Sequence, residues 1–289
     1  MTIQQRHIGA NDLSYFLEVS TVGSITRAAE RLGIRQPTLS VAIQRLEARF
    51  GTELLIRNKS GVELTRAGRQ LATRARAFLT EWQNLELDVS RHDDEPAGRF
   101  TIGCHVSIAA HWLPGTLPSM LSKWPRLELQ LVHELSRKVN DLVVSHELDF
   151  GIVVNPVRHP DLVVIELAKD VFTAWDRTNE LSDTVLYDPN LLQAQSILTR
   201  IQRRGFSFKR SVTSSSLEVL ARLAAHGGGT ALLPTHLAAQ ARPALRIPRG
   251  DQPSVVDSVC LVYRADAQRS PAAKALVAAL KRVTPSSRR

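Results

Sequence analysis

Apolar positions recur at helical intervals through the N-terminal part of the chain and at alternating, strand-like intervals beyond it, so the change of period divides the molecule. The stretch from Ser24 to Glu47, SITRAAERLGIRQPTLSVAIQRLE, predicts two short helices joined by a tight turn. Ser24 carries the hydroxyl that caps a first helical turn. Ala28 and Ala29 are small enough for a second helix to cross closely, Leu32 closes the inner face, and Gly33 ends the helix where a left-handed residue costs least. Ile34 plugs the turn, and Pro37 falls where a new helix has no use for an N–H. Leu39, Ile43 and Leu46 then form one apolar stripe and leave Gln36, Thr38, Ser40, Val41, Gln44 and Arg45 on the other faces. A short helix with a buried stripe and a polar, positively charged outer face fits the major groove of DNA. The plainer alternative is a helical hairpin with a solvated face.

The flanking pattern favours the DNA reading. Leu13–Val19 predicts a preceding helix, capped by Asn11 or Asp12, with Leu13, Phe16 and Leu17 on one face. Leu54–Ile56 and Val62–Leu64 are β-like runs around Asn58-Lys59-Ser60-Gly61, a hairpin with glycine at a turn position. Two helices followed by a basic hairpin describe a winged helix-turn-helix, with Arg57 and Lys59 along the phosphate backbone or in the minor groove. From Thr65 to about Ser90 one long helix is expected. Its Leu71, Ala75, Phe78, Trp82, Leu85 and Val89 are spaced four, three, four, three, four, which is a heptad seam flanked by Arg69, Arg74, Glu81 and Glu86. That seam is narrower than the stripe of a helix packed on its own domain, and we read it as a dimerisation helix. Two such chains double the base contacts over a symmetric site. The polar run Arg91–Gly98 marks the domain boundary.

Beyond it the order is strand, helix, strand. Arg99–Cys104, Leu127–Val132 and Asp149–Val154 predict strands, separated by a helical stretch ending at Pro125 and by Ser136–His146, a βαβαβ unit with parallel strands. Leu162–Leu167 and Val171–Trp175 are further strands. Thr184–Tyr187 opens a second unit with helix Asn190–Arg204, strand Phe206–Thr213, helix Leu217–Ala225 and strand Thr230–Leu233. Asp257–Tyr263 and helix Pro271–Val283 close the chain, before a tail, TPSSRR, expected to be disordered. Ligands of such sheets sit at carboxyl ends of strands, beside helix N-termini. His105 and Ser107 after the first strand, Asn155 after the third, and Ser214, Ser215 and Ser216 at a helix start are the candidate contacts for a small polar or anionic ligand. Plain helix capping is the alternative role of the serines.

Composition sharpens the partner class. Residues 1–80 hold 12 Lys and Arg against 6 Asp and Glu, an excess of six within the chain's net +9, and the pI is about 10.1. A basic segment containing the two-helix unit favours a polyanion. A membrane surface would need a basic amphipathic helix with an unburied apolar face, whereas the apolar faces here look committed to a core. No run approaches ~20 apolar residues, the N-terminus lacks a signal-peptide core, and Cys104 and Cys260 are too few and too distant for a disulfide framework. A cytoplasmic protein is expected. Cys260 lies within an apolar strand, and both cysteines are expected to be structural thiols rather than redox sensors, a role that needs an exposed, low-pKa thiolate.

From Phe16 to Gly68 the sequence resembles the LysR-type transcriptional regulators, through AAERLGIRQPTLS, then LE followed by FGTELLIR, then LTRAG. The LP after His111-Trp112, the DFGIV strand and the GGGTALLP run extend the resemblance more loosely into the second half. The resemblance implies an α/β effector domain of two Rossmann-like lobes, like a periplasmic binding protein, preceded by the winged helix-turn-helix domain and a long linker helix. The boundaries expected are 1–66 for the DNA-binding domain, 67–92 for the linker helix and 97–289 for the effector domain, with lobe I at about 97–168 and 257–283 and lobe II at about 169–256. It implies a homodimer or homotetramer on promoter DNA, responding to a small molecule in the cleft, with RNA polymerase a candidate partner. By position Gln36, Pro37, Thr38, Ser40 and Val41 match the family's base-reading positions, and Arg57 matches the wing arginine. Val41 departs from the arginine common there and can only pack on a thymine methyl. His105, Ser107, Asn155 and Ser214–Ser216 match the usual effector contacts.

Two other classes fit the sequence less well. A hydrolase using Ser107 or Cys104 with His105 lacks a nucleophile elbow, a metal-ligand cluster and a Walker loop; neither catalytic residues nor cofactor nor metal is expected. A DNA-binding protein that senses nothing leaves the second half without a role. No acidic cluster points to a cationic effector, and Arg99, Lys138, Arg158 and Arg177 are scattered.

Overall fold

The structure is a computed structural model, and it describes residues 8–58, 61–89, 96–267 and 270–282. The chain divides into two compact units, residues 1–93 with 145–147, and residues 94–144 with 148–289.

The first unit contains α1 (Ala10–Val22), α2 (Ile25–Arg31), α3 (Gln36–Phe50), the hairpin β1 (Leu55–Asn58) and β2 (Gly61–Leu64), and α4 (Arg66–Val89). Ser24 caps α2 by accepting the Arg27 N–H, and Pro37 sits in the first turn of α3. Phe16 and Val19 of α1 pack with Ile25, Ala28 and Ala29 of α2 and with Leu39, Ile43 and Leu46 of α3 in one buried core. At roughly 1.5–3 kcal/mol for each fully buried large aliphatic side chain, the α3 stripe alone anchors that helix. The cap of α1 falls on Gly9 rather than on Asn11 or Asp12, because Asp12 is drawn into the first turn and buried.

The LTRAG stretch has a local cause. Leu64 pairs with Leu55 across the hairpin. Thr65 caps α4 by accepting the Gly68 N–H at 2.9 Å, while its hydroxyl donates to the Glu53 carbonyl at 2.8 Å. A Cβ at Gly68 would stand 2.1 Å from the Leu54 carbonyl oxygen, so only glycine lets the helix start this close to the wing.

The second unit holds an eight-stranded mixed sheet in the order β4-β3-β5-β10-β6-β9-β7-β8. Its elements are β3 (Gly98–Cys104), α5 (Val106–Trp112), α6 (Leu117–Lys123), β4 (Leu127–His133), α7 (Ser136–Val144), β5 (Phe150–Val154), β6 (Leu162–Trp175), β7 (Thr184–Tyr187), α8 (Leu192–Arg203), β8 (Arg210–Thr213), α9 (Leu217–Ala225), β9 (Thr230–Pro234), α10 (Thr235–Ala238), β10 (Val255–Arg264) and α11 (Pro271–Leu280). β3 runs parallel to β4 and β5, and β7 runs parallel to β8 and β9, giving two parallel clusters. They are joined by β6 and β10, which are antiparallel to each other. Leu162–Leu167 and Val171–Trp175, expected as separate strands, are therefore one strand, since β10 pairs with it continuously from Leu162 to Phe172 apart from a bulge at Val259/Cys260.

Helices cover both faces of the first cluster. α5 and α11 bury Ile108, Trp112, Leu276 and Leu280 on one side, and α7 buries Val139 and Val143 on the other. A Cβ at Gly151 would meet Val139 and Val262 at 2.7 Å each, so a bare strand lets α7 settle. In the second cluster β9 splits its face: Ala231 and Leu233 meet α9, and Leu232 meets α8. The expected strand Phe206–Thr213 begins only at Arg210, because Phe206 and Phe208 turn in to pack with α8.

Lys59, the boundary stretch 90–95, the side chain of Val89 and the residues after 282 lie outside the described set. Among the described residues no helix is long and apolar enough to cross a membrane.

Candidate DNA-reading helix and effector cleft

The outer face of α3 carries what its sequence predicts. Leu39, Ala42, Ile43 and Leu46 have no exposed surface, whereas Gln36, Pro37, Thr38, Val41 and Gln44 are exposed and Ser40 is half-buried. Gln36 Nε2 donates to Ser40 Oγ at 2.9 Å, one turn along the helix, which fixes the direction of both side chains. Arg45 behaves differently from its neighbours. Its Nη2 donates to the Oδ1 of buried Asp12 at 2.5 Å, which ties α3 to the first turn of α1. Glu47 ties the other end: its Oε1 accepts the N–H groups of Leu54 and Leu55 at the root of the wing. Arg57 is exposed on β1.

Arg35 precedes this row and is exposed. It occupies the N-cap of α3 and makes no side-chain cap. A cation there neither satisfies the free N–H groups nor suits the positive end of the helix dipole.

The heptad seam of α4 divides. Ala75 is buried and Leu71 is half-buried against the core of its own unit, while Phe78, Trp82 and Leu85 are 50%, 44% and 52% exposed. The Phe78 and Trp82 rings lie 6.4 Å apart, in a line of apolar surface along one side of the helix.

In the second unit the candidate effector residues fall into separate local networks. His105 caps α5: its Nδ1 accepts the Ser107 N–H at 3.2 Å and lies 2.7 Å from Ser107 Oγ. With Nδ1 occupied as an acceptor, the proton of the neutral ring sits on Nε2. Burial pushes the His105 pKa below its ordinary value, against the pull of Glu218 and Asp188. Asn155, at φ 48°, spends its amide inside the fold. It donates to Asp257 Oδ1 at 2.6 Å and accepts from the Ser258 N–H at 2.9 Å. Gln193 of α8 donates to the other Asp257 oxygen at 3.2 Å, so Asp257 clips α8 to the crossing strands. Burial raises the Asp257 carboxyl pKa, and the two amide donors oppose that.

Ser214 to Ser216 form a turn at the carboxyl end of β8. The Ser214 N–H donates to the Tyr187 carbonyl, Ser214 Oγ accepts the Ser216 N–H, and Ser216 Oγ accepts the Val219 N–H and donates to Glu218. Ser215 is exposed. Two acidic residues flank this turn: Glu218 in the first turn of α9, and Asp188 just after β7, whose Tyr187 carbonyl the turn bonds. On another side His111 of α5 stacks on His236 of α10 with centroids 4.9 Å apart, Gln240 donates to His111 and Asp170 of β6 bonds His236.

Cys104 and Cys260 are free and buried. Burial pushes the Cys104 thiol up to about 12 and raises that of Cys260 too, so neither forms the thiolate that reacts with oxidants. At pH 8 a disulfide reagent is expected to label neither thiol in the folded chain and both after unfolding. Stoichiometric labelling of the native protein contradicts this.

Residues 93–285 match the LysR substrate binding domain, and residues 10–69 match the bacterial regulatory helix-turn-helix protein of the lysR family. The chain is 29% identical over 284 residues to the nitrogen assimilation regulatory protein nac of Escherichia coli (strain K12), covering 91% of each. It is 34% identical over 155 residues to the Hca operon transcriptional activator HcaR of the same organism, covering 54% of this chain and 52% of that one. Among solved structures, ArgP from Mycobacterium tuberculosis superposes with a TM-score of 0.72 at 18% identity, over 96% of this chain and 97% of that one. A full-length OxyR variant from Pseudomonas aeruginosa does so with a TM-score of 0.69 at 22% identity, over 98% and 100%. At these identities the structural likeness speaks for the fold.

Proposed function

This chain belongs to the LysR family of transcriptional regulators, and from that we propose that it binds promoter DNA as a homo-oligomer, with α3 in the major groove and a small molecule in the cleft of the second unit setting its activity. The observation that carries the DNA reading is the exposed row Gln36, Thr38, Val41 and Gln44 above a stripe with no exposed surface. Gln36 and Gln44 present amide donors and acceptors to base edges, Thr38 and Ser40 present hydroxyls, and Val41 suits a thymine methyl. Pro37 holds the first turn. Arg35 and Arg57 carry charge toward phosphates; Lys59 belongs with them by sequence. Arg45 is committed to Asp12, and we assign it to orienting the helix rather than to reading bases.

The domain division proposed is 1–66, 67–92 and 97–289, with the exposed Phe78, Trp82 and Leu85 of α4 as the contact between chains and Val89 continuing it. Effector contacts are proposed at His105, Ser107 and the turn Ser214–Ser216, with Asn155 shaping the cleft through Asp257. The protein acts without catalysis in this reading. His105 Nδ1 takes the backbone N–H of Ser107 as well as its hydroxyl, which is the geometry of a helix cap rather than of a base beside a nucleophile.

The test is binding to the DNA upstream of the protein's own gene, titrated with salt beside a random duplex. A clear excess for the upstream DNA at physiological salt is expected, and Gln36→Ala or Thr38→Ala weakens it by roughly 1–3 kcal/mol while random DNA changes little. Equal binding of both duplexes, or equal losses on both in the variants, sinks the base-reading assignment.

A further inference from the structure

We propose that the effector is a small organic cation, a protonated amine received between the Asp188 and Glu218 carboxylates. This rests on the effector-cleft reading above and names the chemistry of that site. Asp188 follows the carboxyl end of β7 and is 1% exposed. Its Oδ1 accepts from the Asn190 N–H at 2.9 Å and from Asn190 Nδ2 at 3.1 Å, while its Oδ2 is buried with no hydrogen-bond partner. Glu218 stands in the first turn of α9. Its Oε2 accepts from Ser216 Oγ at 3.1 Å, and its Oε1 is also buried with no partner.

The two carboxylates belong to one place. The Ser214 N–H donates to the Tyr187 carbonyl, so the turn carrying Ser216 and Glu218 lies against the end of β7, where Asp188 begins the next segment. His105, at the carboxyl end of β3, is near enough to feel both charges, Glu218 more strongly than Asp188. Carboxyl ends from both parallel clusters thus converge, as ligand sites of open sheets do. The clips Asn155–Asp257–Gln193 and His111–Gln240 bridge the two clusters on either side.

A buried carboxylate oxygen without a donor costs free energy that a bound N–H recovers. An ammonium group offers three donors and cancels charge, so it suits a site with two free carboxylate oxygens. A carboxylate or phosphate effector meets repulsion instead. His105 contributes the complementary group: it is neutral, with Nε2–H as a donor, and suits a hydroxyl, carbonyl or carboxylate oxygen elsewhere on the ligand. Among the described residues no group of three His, Cys, Asp or Glu side chains is placed to hold a metal ion.

The full-length protein is melted in the presence of putrescine, cadaverine and agmatine, beside butanediol, succinate and calcium chloride. At least one amine is expected to raise Tm, and the diol, the dicarboxylate and calcium are expected not to. Asp188→Asn and Glu218→Gln each weaken that amine's Kd by roughly tenfold or more. Free of ligand, Asp188→Asn melts no lower than the parent, since it removes an unpaired buried charge. If succinate raises Tm and the variants leave its effect intact, the cleft reading stands and the amine class falls. A calcium shift lost in Asp188→Asn overturns the organic cation in favour of a metal. If no amine shifts Tm, or an amine shift is untouched by both variants, the inference is wrong; a ligand-free Asp188→Asn that melts well below the parent makes Asp188 a structural residue and also overturns it.

Discussion

Trp82→Asp is expected to convert the protein to monomers that bind their DNA at least about a hundredfold more weakly. The side chain is 44% exposed on α4, with Phe78 four residues before it and Leu85 three after, both about half exposed. A tryptophan carries roughly 150–250 Å² of surface. Burying the exposed part at ~25 cal/mol per Å² gives about 2 kcal/mol, and an isologous contact counts it twice. Losing about 4 kcal/mol raises the dimer Kd roughly a thousandfold, before the repulsion of two carboxylates in an apolar seam. DNA binding falls with it because each chain brings one α3, and the second half-site is engaged at the high effective concentration that pairing provides. Light scattering reads the mass and a duplex titration the affinity. Ala75→Asp separates the two halves of the seam. Ala75 is buried in its own unit, so this variant unfolds that unit instead of releasing a folded monomer. An unchanged mass for Trp82→Asp removes α4 as the contact between chains.

The heptad spacing shows what periodicity can and cannot convey. It marked all six seam positions alike, yet Ala75 faces inward, Leu71 is half-buried and Phe78, Trp82 and Leu85 face outward, because α1 and the wing cover only the start of α4. The two-helix unit was legible almost residue by residue, since its signals are local: a cap at Ser24, a left-handed Gly33, a proline in the first turn of α3. Thr65 and Gly68 were visible as a motif, and the Leu54 carbonyl that explains them was not. In the second unit local pattern gave most strands and helices but not the continuity of β6, which is imposed by β10 some ninety residues later. The carboxylate pair was illegible for the same reason. Asp188 and Glu218 lie thirty residues apart, and the parallel pairing of β7 with β8 sets the segment after Tyr187 beside the turn after Thr213. Asn155 was read as a ligand contact from its place after a strand. Its amide bonds Asp257 and Ser258 within the fold, a pairing no local pattern conveys.

Arg45 gives the second large effect, because its charge is used inside the fold. Asp12→Ala and Arg45→Ala are each expected to destabilise the packing of α3 on α1 by about 2 kcal/mol. Removing one partner of a fully buried pair costs about 3–5 kcal/mol. The Asp12 side chain is 5% exposed but that of Arg45 is 37% exposed, so water recovers part of the loss. The double variant loses less than the sum of the two, since the second deletion removes a charge the first left without its partner. Amide hydrogen exchange of α3 in the full chain reads the effect where it arises. DNA affinity separates the two roles of the residue. If Arg45 orients the helix, both single variants loosen the reading face and lose specific affinity together. If it contacted DNA directly, Asp12→Ala would free the guanidinium and keep affinity, while Arg45→Ala alone would lose it. Parallel losses, with matching increases in α3 exchange, make the Asp12–Arg45 tie part of how the outer face of α3 is aimed. A loss confined to Arg45→Ala returns the residue to the DNA surface.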